Sequence, residues 1–346
     1  MELDARKLQI LKAVIDEYIT SAAPVGSRSI SKQEGFHLSS ATIRNEMADL
    51  EELGYLQQPH TSAGRIPSDK AYRLYVDRIM HRAQLSAREI AEIRAHMDTR
   101  LDGLESMMRQ MAQVLSTVTN YTAVAIPPAM VRARLRHIQL IPFSVGRALA
   151  VIVTDTGYTR DTVLRIPDDM GYEELERLSR LITDRLQGCR LDEAAERMSG
   201  VIGAELYHRR DFLQSMMTAI ERRVSPEVGS VELSGATNML HYPEYADMDK
   251  VRTFLAAVEG RDTLYRMLRR ASRMEFTITI GSENESEELR DCSVVTATYR
   301  VDDEPMGTFG IIGPTRMQYG KVLSVLEYMQ KSFQEMLTNQ LEEDQH

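Results

Sequence analysis

Residues 39–64 read SSATIRNEMADLEELGYLQQPHTSAG, and this stretch determines the N-terminal part of the fold. Ser39 occupies the N-cap position of a helix, with Leu38 and Ile43 at the spacing of a hydrophobic staple. The apolar side chains of this helix recur three or four residues apart, at Ile43, Met47 and Leu50. Gly54 ends the helix, and the short stretches YLQQ and RIP around HTSAG predict a small β-hairpin.

Helices are also predicted on both sides of this stretch. Residues 4–19 carry one apolar stripe with Asp4 as the N-cap, and Ser27 is placed to cap a short second helix that runs to about residue 34. Another helix begins at Ser68. Three helices followed by a hairpin within residues 1–80 are typical of a winged helix-turn-helix, whose third helix lies in a DNA major groove.

The outward surface of the third helix is small, polar and basic. With a helical step of about 100° per residue, Ala41 and Asn45 point away from the apolar face, and Thr42 and Arg44 flank them. Arginine suits guanine and asparagine suits adenine in the major groove, whereas the amides and hydroxyls of a helix N-terminus suit a phosphate. The alternative is that Ser39 only caps the helix and Arg44 is a solvated charge. The predicted DNA-binding residues are Arg28, Ser39, Ser40, Ala41, Thr42, Arg44, Asn45, His60, Thr61, Ser62 and Arg65.

Charge restricts DNA binding to a local surface. The chain has a formal net charge of −9, which argues against indiscriminate coating of nucleic acid or anionic lipid. Segments 24–45 and 57–75 nevertheless hold six basic residues against two acidic ones. For Arg65, at the tip of the hairpin, a surface ion pair is the alternative to a minor-groove or phosphate contact. The longest apolar run, ALAVIV at 148–153, is far shorter than a membrane span, so we expect a cytoplasmic protein, nucleoid-associated when bound to its operator.

Residues 82–120 predict one long helix or two collinear ones, with a capping box from Ser86 to Glu89. Apolar residues recur every seven positions along it, at Ile90, Met97, Leu104, Met111 and Val118, beside a second row at Leu101, Met108 and Leu115. The two rows form an apolar seam, and two interpretations of it are open. It packs within its own domain, or it is shared with a second chain.

Strands dominate from residue 122, where TAVAI, RLRHIQLIPF, RALAVIVT and YTRDTVLRI suggest a hairpin-connected antiparallel sheet. A mostly helical block follows, and strands return at FTITI, CSVVTATY and GTFGIIG before a final helix from about residue 319. Strands on both sides of a helical block predict one sheet domain with another inserted into it. The predicted class is therefore α+β and multidomain. The predicted divisions are a DNA-binding domain (1–80), a helical linker (81–120), a split sheet domain (121–170 and 256–346) and an insertion (171–255).

Several of these stretches also carry a family resemblance. SSATIRNEMADLEELGYLQQPHTSAGRIPSDKAYRLYVD, together with ITIGSEN, DCSVVTATY and GTFGIIGPTRMQYGKV, resembles the heat-inducible transcription repressor HrcA family along essentially the whole chain. The resemblance implies a homodimer with an N-terminal winged helix and a GAF-like domain that carries an inserted dimerising domain. It implies repression of chaperone operons through the inverted-repeat operator CIRCE, with the chaperonin helping the repressor to reach its active form. Such a repressor should be only marginally stable by itself.

Other chemistry has little support in the sequence. The eight histidines form no HExxH or CxxC…H pattern, and Cys189 and Cys292 suit reduced structural thiols, so we expect no metal, no cofactor and no enzyme. GIIGPTR at 310–316 is read as a strand-to-helix connection, with an anion-holding turn as the alternative. Two rival functions stay open. One is a regulator that senses a small metabolite through the GAF-like domain, and the other is an enzyme whose winged helix docks proteins.

Overall fold

The computed structural model describes residues 3–60, 63–97, 104–126, 134–155, 159–189, 231–271, 274–301 and 304–343. It has the mixed α and β composition that the sequence predicts. The α-helices are α1 (Ala5–Ser21), α2 (Ser27–Ile30), α3 (Ser40–Glu52), α4 (Asp69–Leu74), α5 (Ala87–Met97), α6 (Leu104–Thr119), α7 (Tyr172–Leu186), α8 (Met248–Glu259), α9 (Arg261–Ala271) and α10 (Tyr319–Glu343). The strands are β1 (Leu56–Gln57), β2 (Ile66–Pro67), β3 (Thr122–Ile126), β4 (Leu135–Ser144), β5 (Arg147–Thr154), β6 (Thr159–Arg165), β7 (Glu232–Ser234), β8 (Phe276–Ile280), β9 (Cys292–Val301) and β10 (Glu304–Pro314).

Residues 3–60 and 63–80, the N-terminal unit, contain helices α1 to α4 and a hairpin of β1 and β2. The Asp4 carboxylate accepts a hydrogen bond from the backbone N–H of Lys7, so the predicted N-cap of α1 is confirmed. The predicted second helix is wrong in its cap and its length, because α2 is a single turn with Gly26 at the N-cap. Val25 pairs with Arg65 as an isolated β-bridge, and this extended pairing leaves the cap position to the next residue.

The hairpin consists of β1 and β2, which pair antiparallel. The Val25 bridge adds a third extended segment beside it, a pairing that the sequence pattern did not reveal. Gly64 allows this close approach, because a Cβ at that position would lie 2.3 Å from the Val25 carbonyl oxygen. The first turn of α2 is therefore fixed to the base of the hairpin.

The predicted helical segment before the sheet is two helices, α5 and α6. The capping box is confirmed, because the Glu89 carboxylate accepts a hydrogen bond of 2.9 Å from the Ser86 N–H and the Ser86 hydroxyl accepts one of 3.2 Å from the Glu89 N–H. Met108, Met111 and Leu115 are completely buried in the core of the same chain. The apolar seam of α6 therefore packs within its own chain, as the first of the two interpretations predicts. Leu101 lies outside the described residues.

A five-stranded antiparallel sheet has the strand order β7-β3-β10-β9-β8. One face packs on α6 and α10 around side chains such as Val295, Tyr299 and Phe333. The other face packs on α8 and α9 around side chains such as Val124 and Leu268. Because helices cover both faces, β3 is buried at every position, as its uninterrupted apolar run TAVAI requires.

Strands β4, β5 and β6 form a separate three-stranded sheet, and α7 packs on β4. The expectation that β3 to β6 belong to one sheet is wrong. The backbone N–H groups of Ile138 and Leu140 on β4 donate to the hydroxyls of Thr183 and Ser179 on α7, so this sheet edge is satisfied by the helix and not by β3. Hairpin alternation predicts each neighbouring pair of strands but carries no signal for a sheet change between β3 and β4.

Asp69 and Arg73 of α4 attach the N-terminal unit to the segment that includes and follows β8. The Asp69 carboxylate accepts hydrogen bonds of 2.8 Å from the backbone N–H and the hydroxyl of Ser282. The Arg73 guanidinium donates to Glu283 at 2.8 Å and to the carbonyl of Ile278 at 2.6 Å. Desolvation, the largest effect, raises the pKa of Glu283, but the hydrogen bonds that this carboxylate accepts, from Arg73 first, lower the pKa overall. Glu283 is therefore ionised at neutral pH.

Gly281 makes this junction possible, which generates a test. Its φ is 51°, and a Cβ there would lie 2.3 Å from the Asp69 carboxylate oxygens. We predict that Gly281→Ala lowers the free energy of unfolding by about 1–3 kcal/mol, measured by urea denaturation, because it adds displacement of Asp69 to backbone strain. Gly188→Ala is the control, since φ is 77° there but nothing lies within 4 Å of the added Cβ. Equal losses in the two variants would contradict the close packing.

Candidate nucleic-acid interface

The two faces of α3 differ sharply in exposure. Its apolar face is buried, with Ile43 and Leu50 at 0% and Met47 at 4% exposure, and the helix packs on α1, α2 and β1. Arg44 and Asn45 are exposed on the other side. Ala41 is exposed as well, and Ser40 and Thr42 are half-buried. The predicted division of the helix into a core face and a free polar face is confirmed.

Salt bridges fix α3 to α1 on its flank. The Lys7 ammonium lies 2.8 Å from the Glu46 carboxylate and 3.0 Å from that of Asp49, and Arg6 also pairs with Glu46. The hydrogen bond to Glu46, followed by that to Asp49, raises the pKa of Lys7. These residues orient the helix without facing its free side. Sequence reasoning did not identify them, because Lys7 and Glu46 are far apart in the chain.

Ser39 is the N-cap of α3. Its hydroxyl accepts a hydrogen bond of 3.1 Å from the Thr42 N–H and lies 2.9 Å from the Thr42 hydroxyl. The side chain is exposed, so capping leaves it accessible at the positive end of the helix. A phosphate contact by Ser39 and Ser40 remains a prediction, and the capping role is confirmed.

Three arginines surround a hollow between α2, α3 and the hairpin. The hollow has a volume of about 630 Å³, and Arg28, Arg44 and Arg65 line it together with Ser27 and Gln58. Gln58 was not predicted as a site residue, and its amide donates to the Ala63 carbonyl at 3.1 Å. The structure therefore brings together three predicted DNA-binding residues from three separate elements.

Arg65 is already engaged in the structure. Its guanidinium lies 2.7 Å from the Glu51 carboxylate and the side chain is 19% exposed, which matches the ion-pair alternative. A DNA contact by Arg65 requires this pair to break and stays a prediction. His60 is exposed, whereas the predicted Thr61 and Ser62 lie outside the described residues.

The basic surface around α3 includes fewer residues than the six counted in segments 24–45 and 57–75. Arg73 points to Glu283 in the five-stranded sheet domain and away from the hairpin side. The Lys70 ammonium donates to the Leu53 carbonyl at 2.8 Å and lies over the Tyr55 ring. Arg28, Arg44 and Arg65 line the hollow beside the free face of α3, and Arg65 is paired with Glu51. A count along the sequence could not separate residues that share a segment but face opposite sides.

Arg316 serves the connection between β10 and α10. It is 8% exposed, forms an ion pair with Glu244, and donates to the Ile19 carbonyl at 2.9 Å. This geometry supports the reading of GIIGPTR as a structural connection. Among the described residues, no cluster of three or more His, Cys, Asp or Glu side chains is arranged to hold a metal ion. Within the same part of the chain, no helix is both long and apolar enough to cross a membrane.

The chain is similar to named proteins over nearly its whole length. The family described as "HrcA protein C terminal domain" matches residues 105–323. A protein of Brevibacillus brevis named heat-inducible transcription repressor HrcA is 39% identical over 340 residues, which cover 98% of this chain and 99% of that protein. The chain belongs to the HrcA family. The HrcA of Ruminiclostridium cellulolyticum is 41% identical over 348 residues, covering 97% of this chain and 98% of its own.

One solved structure supports the architecture of this HrcA-family chain. It is described as a hypothetical protein at 2.2 Å resolution and is 24% identical. The superposition has a TM-score of 0.65 and covers 98% of this chain and 99% of the other. This similarity concerns the fold alone.

The two roles of Ser39 can be separated by substitution. Ser39→Ala removes the cap and should cost about 1 kcal/mol of stability, whereas Ser39→Asp retains a capping oxygen and should leave thermal stability nearly unchanged. If the N-terminus of α3 meets a phosphate, Ser39→Asp should nevertheless weaken DNA binding strongly, because its charge repels the phosphate. Thermal denaturation and fluorescence anisotropy with duplex DNA measure the two effects. Undiminished DNA binding by Ser39→Asp would exclude the phosphate contact.

Proposed function

We propose that this protein is a heat-inducible transcription repressor that binds an inverted-repeat operator of the CIRCE type as a dimer. The single observation that carries the proposal is the exposed polar face of α3 beside a hollow lined by three arginines. The names of the full-length relatives support the regulatory class.

In this proposal the N-terminal unit is a winged helix-turn-helix, with α3 as the recognition helix. Arg44 would read guanine and Asn45 adenine, and the small Ala41 allows the helix to approach the base edges. Ser39, Ser40 and Thr42 lie at the N-terminus of the helix, where a phosphate is favoured. Arg28 faces the same hollow, and we assign the wing to the hairpin with His60 and Arg65. A DNA contact by Thr61 and Ser62, which lie outside the described residues, stays a prediction. Phosphate contacts add, so two such units on one operator compensate for a modest basic surface.

The dimer interface is best placed on the outer face of the three-stranded sheet. The seam of α5 and α6 is buried in its own chain and is not available. By contrast, Ile141, Phe143 and Val163 are 42%, 62% and 48% exposed on the face opposite α7, with Val145 at the adjoining turn 85% exposed. Exposed apolar surface of this kind marks an interaction site. A second copy of the chain fits it, because a two-fold dimer matches the symmetry of an inverted repeat.

We assign the five-stranded sheet with its covering helices as the GAF-like domain. The insertion then runs between β3 and β7, and not over 171–255, because β3 and β7 are neighbours in the sheet. The three-stranded sheet and α7 both lie within this insertion. Its exposed apolar face is also a surface that a chaperonin can hold until a second copy covers it, which supports chaperonin-dependent activation. Heat-denatured clients would then compete for the chaperonin and lower the active fraction of repressor.

The recognition surface is tested by the double variant Arg44→Ala, Asn45→Ala. Each lost base contact should cost about 1–3 kcal/mol, so operator affinity should fall at least tenfold, because 1.4 kcal/mol corresponds to a tenfold change. Gel-shift titration on an inverted repeat, with and without chaperonin, measures the affinity and the chaperonin dependence together. Arg88→Ala is the control, since Arg88 is equally basic and its side chain is 89% exposed on α5. Retained operator affinity in the double variant would show that DNA binds elsewhere.

The dimer interface is tested by Phe143→Glu, which places a charge on the exposed apolar face. We predict monomers in sedimentation-velocity ultracentrifugation and reduced operator affinity, because a charge withdrawn from water without a partner is strongly unfavourable. Met248→Glu on α8 is the matched control, because Met248 is 63% exposed and lies away from this face. A dimer that survives Phe143→Glu would move the interface to another surface.

A further inference from the structure

A cavity of about 560 Å³ lies between α9, the edge strand β8 and the segment 283–288. Its volume is within the range of about 300–1,000 Å³ that small-molecule sites occupy. Met267, Ala271 and Val294 contribute apolar surface. Thr277, Thr296 and Asn284 contribute polar groups. The cavity therefore combines an apolar wall with a few convergent polar atoms, the usual composition of a ligand site.

Three polar atoms of the residues that line this cavity are buried and unpaired. The hydroxyls of Thr277 and Thr296 and the side-chain oxygen of Asn284 have no hydrogen-bond partner among the described residues. Thr296 is 3% and Asn284 5% exposed, and Thr277 pairs with Thr296 in register across β8 and β9. A buried polar atom costs free energy until it is paired. A bound molecule that hydrogen-bonds to these three atoms would thus be stabilised.

Asn284 is held in a fixed orientation. Its amide nitrogen donates to the carbonyls of Gly281, Leu289 and Cys292, each at 2.9 Å. The donor side of the amide is therefore fully used, and only the acceptor oxygen is left. A matching ligand has to offer a hydrogen-bond donor at this point.

Charged side chains line the rim of the cavity, and most of them are paired with one another or with neighbouring residues. Four carboxylates, from Glu283, Glu285, Glu287 and Glu288, line the cavity against the two guanidiniums of Arg266 and Arg270. Arg270 forms an ion pair with Glu285, so this guanidinium is already compensated. Glu283 pairs with Arg73 and Glu287 with Arg290 in the same way, so the rim carries little net charge. The unpaired acceptor oxygen of Asn284 therefore selects the head group, because a carboxylate brings no hydrogen-bond donor and a neutral or cationic head group does.

We propose that this cavity binds a small molecule with an apolar body and a hydroxyl or amino group. The body lies against Met267, Ala271 and Val294, and the donor group reaches Asn284 and the paired threonines. The site shares a wall with the junction to the N-terminal unit. Glu283 lines the cavity and holds Arg73, and Ile278, between Thr277 and Thr279, accepts a hydrogen bond from Arg73. An effect of occupancy on DNA binding rests on the proposed function, whereas the binding itself does not.

The test uses phenethyl alcohol, phenethylamine and hydrocinnamate, which share one apolar body and carry a neutral, a cationic and an anionic head. Saturation-transfer NMR on the full chain should show binding of the alcohol and the amine and little of the carboxylate. Thr296→Val should weaken binding of the alcohol about threefold to tenfold, as expected for one lost hydrogen bond. Thr298→Val is the matched control, because its hydroxyl is equally buried and without a partner among the described residues but does not line the cavity.

Each outcome decides a separate part of the proposal. Absence of saturation transfer from both the alcohol and the amine would overturn the site. Equal binding of the carboxylate would overturn the ligand class, and equal affinities in Thr296→Val and Thr298→Val would overturn the location. Because the measurement contains no DNA, its failure is distinguishable from failure of the repressor function.

Discussion

Burial of one face of α3 against α1 is the constraint on which the interpretation of this protein depends. Ile43, Met47 and Leu50 lose nearly all contact with water, and each such side chain contributes about 1.5–3 kcal/mol. Rotation of the helix would expose these side chains and bury Arg44 or Asn45 without partners. The free energy of packing therefore selects which side chains face outward, and any DNA-reading role follows from that selection.

The junction of α4 with the five-stranded sheet extends this constraint to the rest of the chain. Asp69 and Arg73 are held by Ser282, Glu283 and the carbonyl of Ile278. Charged residues near a candidate DNA-binding surface are easily interpreted as phosphate contacts, but Asp69 and Arg73 make an internal contact. The segment that contains Glu283 also borders the cavity with unpaired polar atoms. This short segment therefore lies between the N-terminal unit and the proposed small-molecule site.

Local features of the fold could be predicted from the sequence because neighbouring residues determine them. The caps at Asp4 and Ser39, the capping box at Ser86 and the apolar face of α3 all depend on spacings of three or four residues. Features that depend on distant pairs were not predictable in this way. The sheet change after β3, the Val25–Arg65 bridge and the Lys7–Glu46 pair each join residues that no periodicity connects. The candidate site shows the same difference between local and distant features. The free face of α3 was predicted from local spacing, whereas the ion pair of Arg65 with Glu51 was one of two open alternatives.

The N-terminal unit and the five-stranded sheet share one continuous apolar core, from Ile10 and Ile43 through Met111 to Phe333. Elements that pack around one core commonly form one cooperative unfolding unit. We therefore expect α3 to unfold together with the five-stranded sheet when the protein is heated. Unfolding of the middle of the chain would therefore also remove the exposed face of α3.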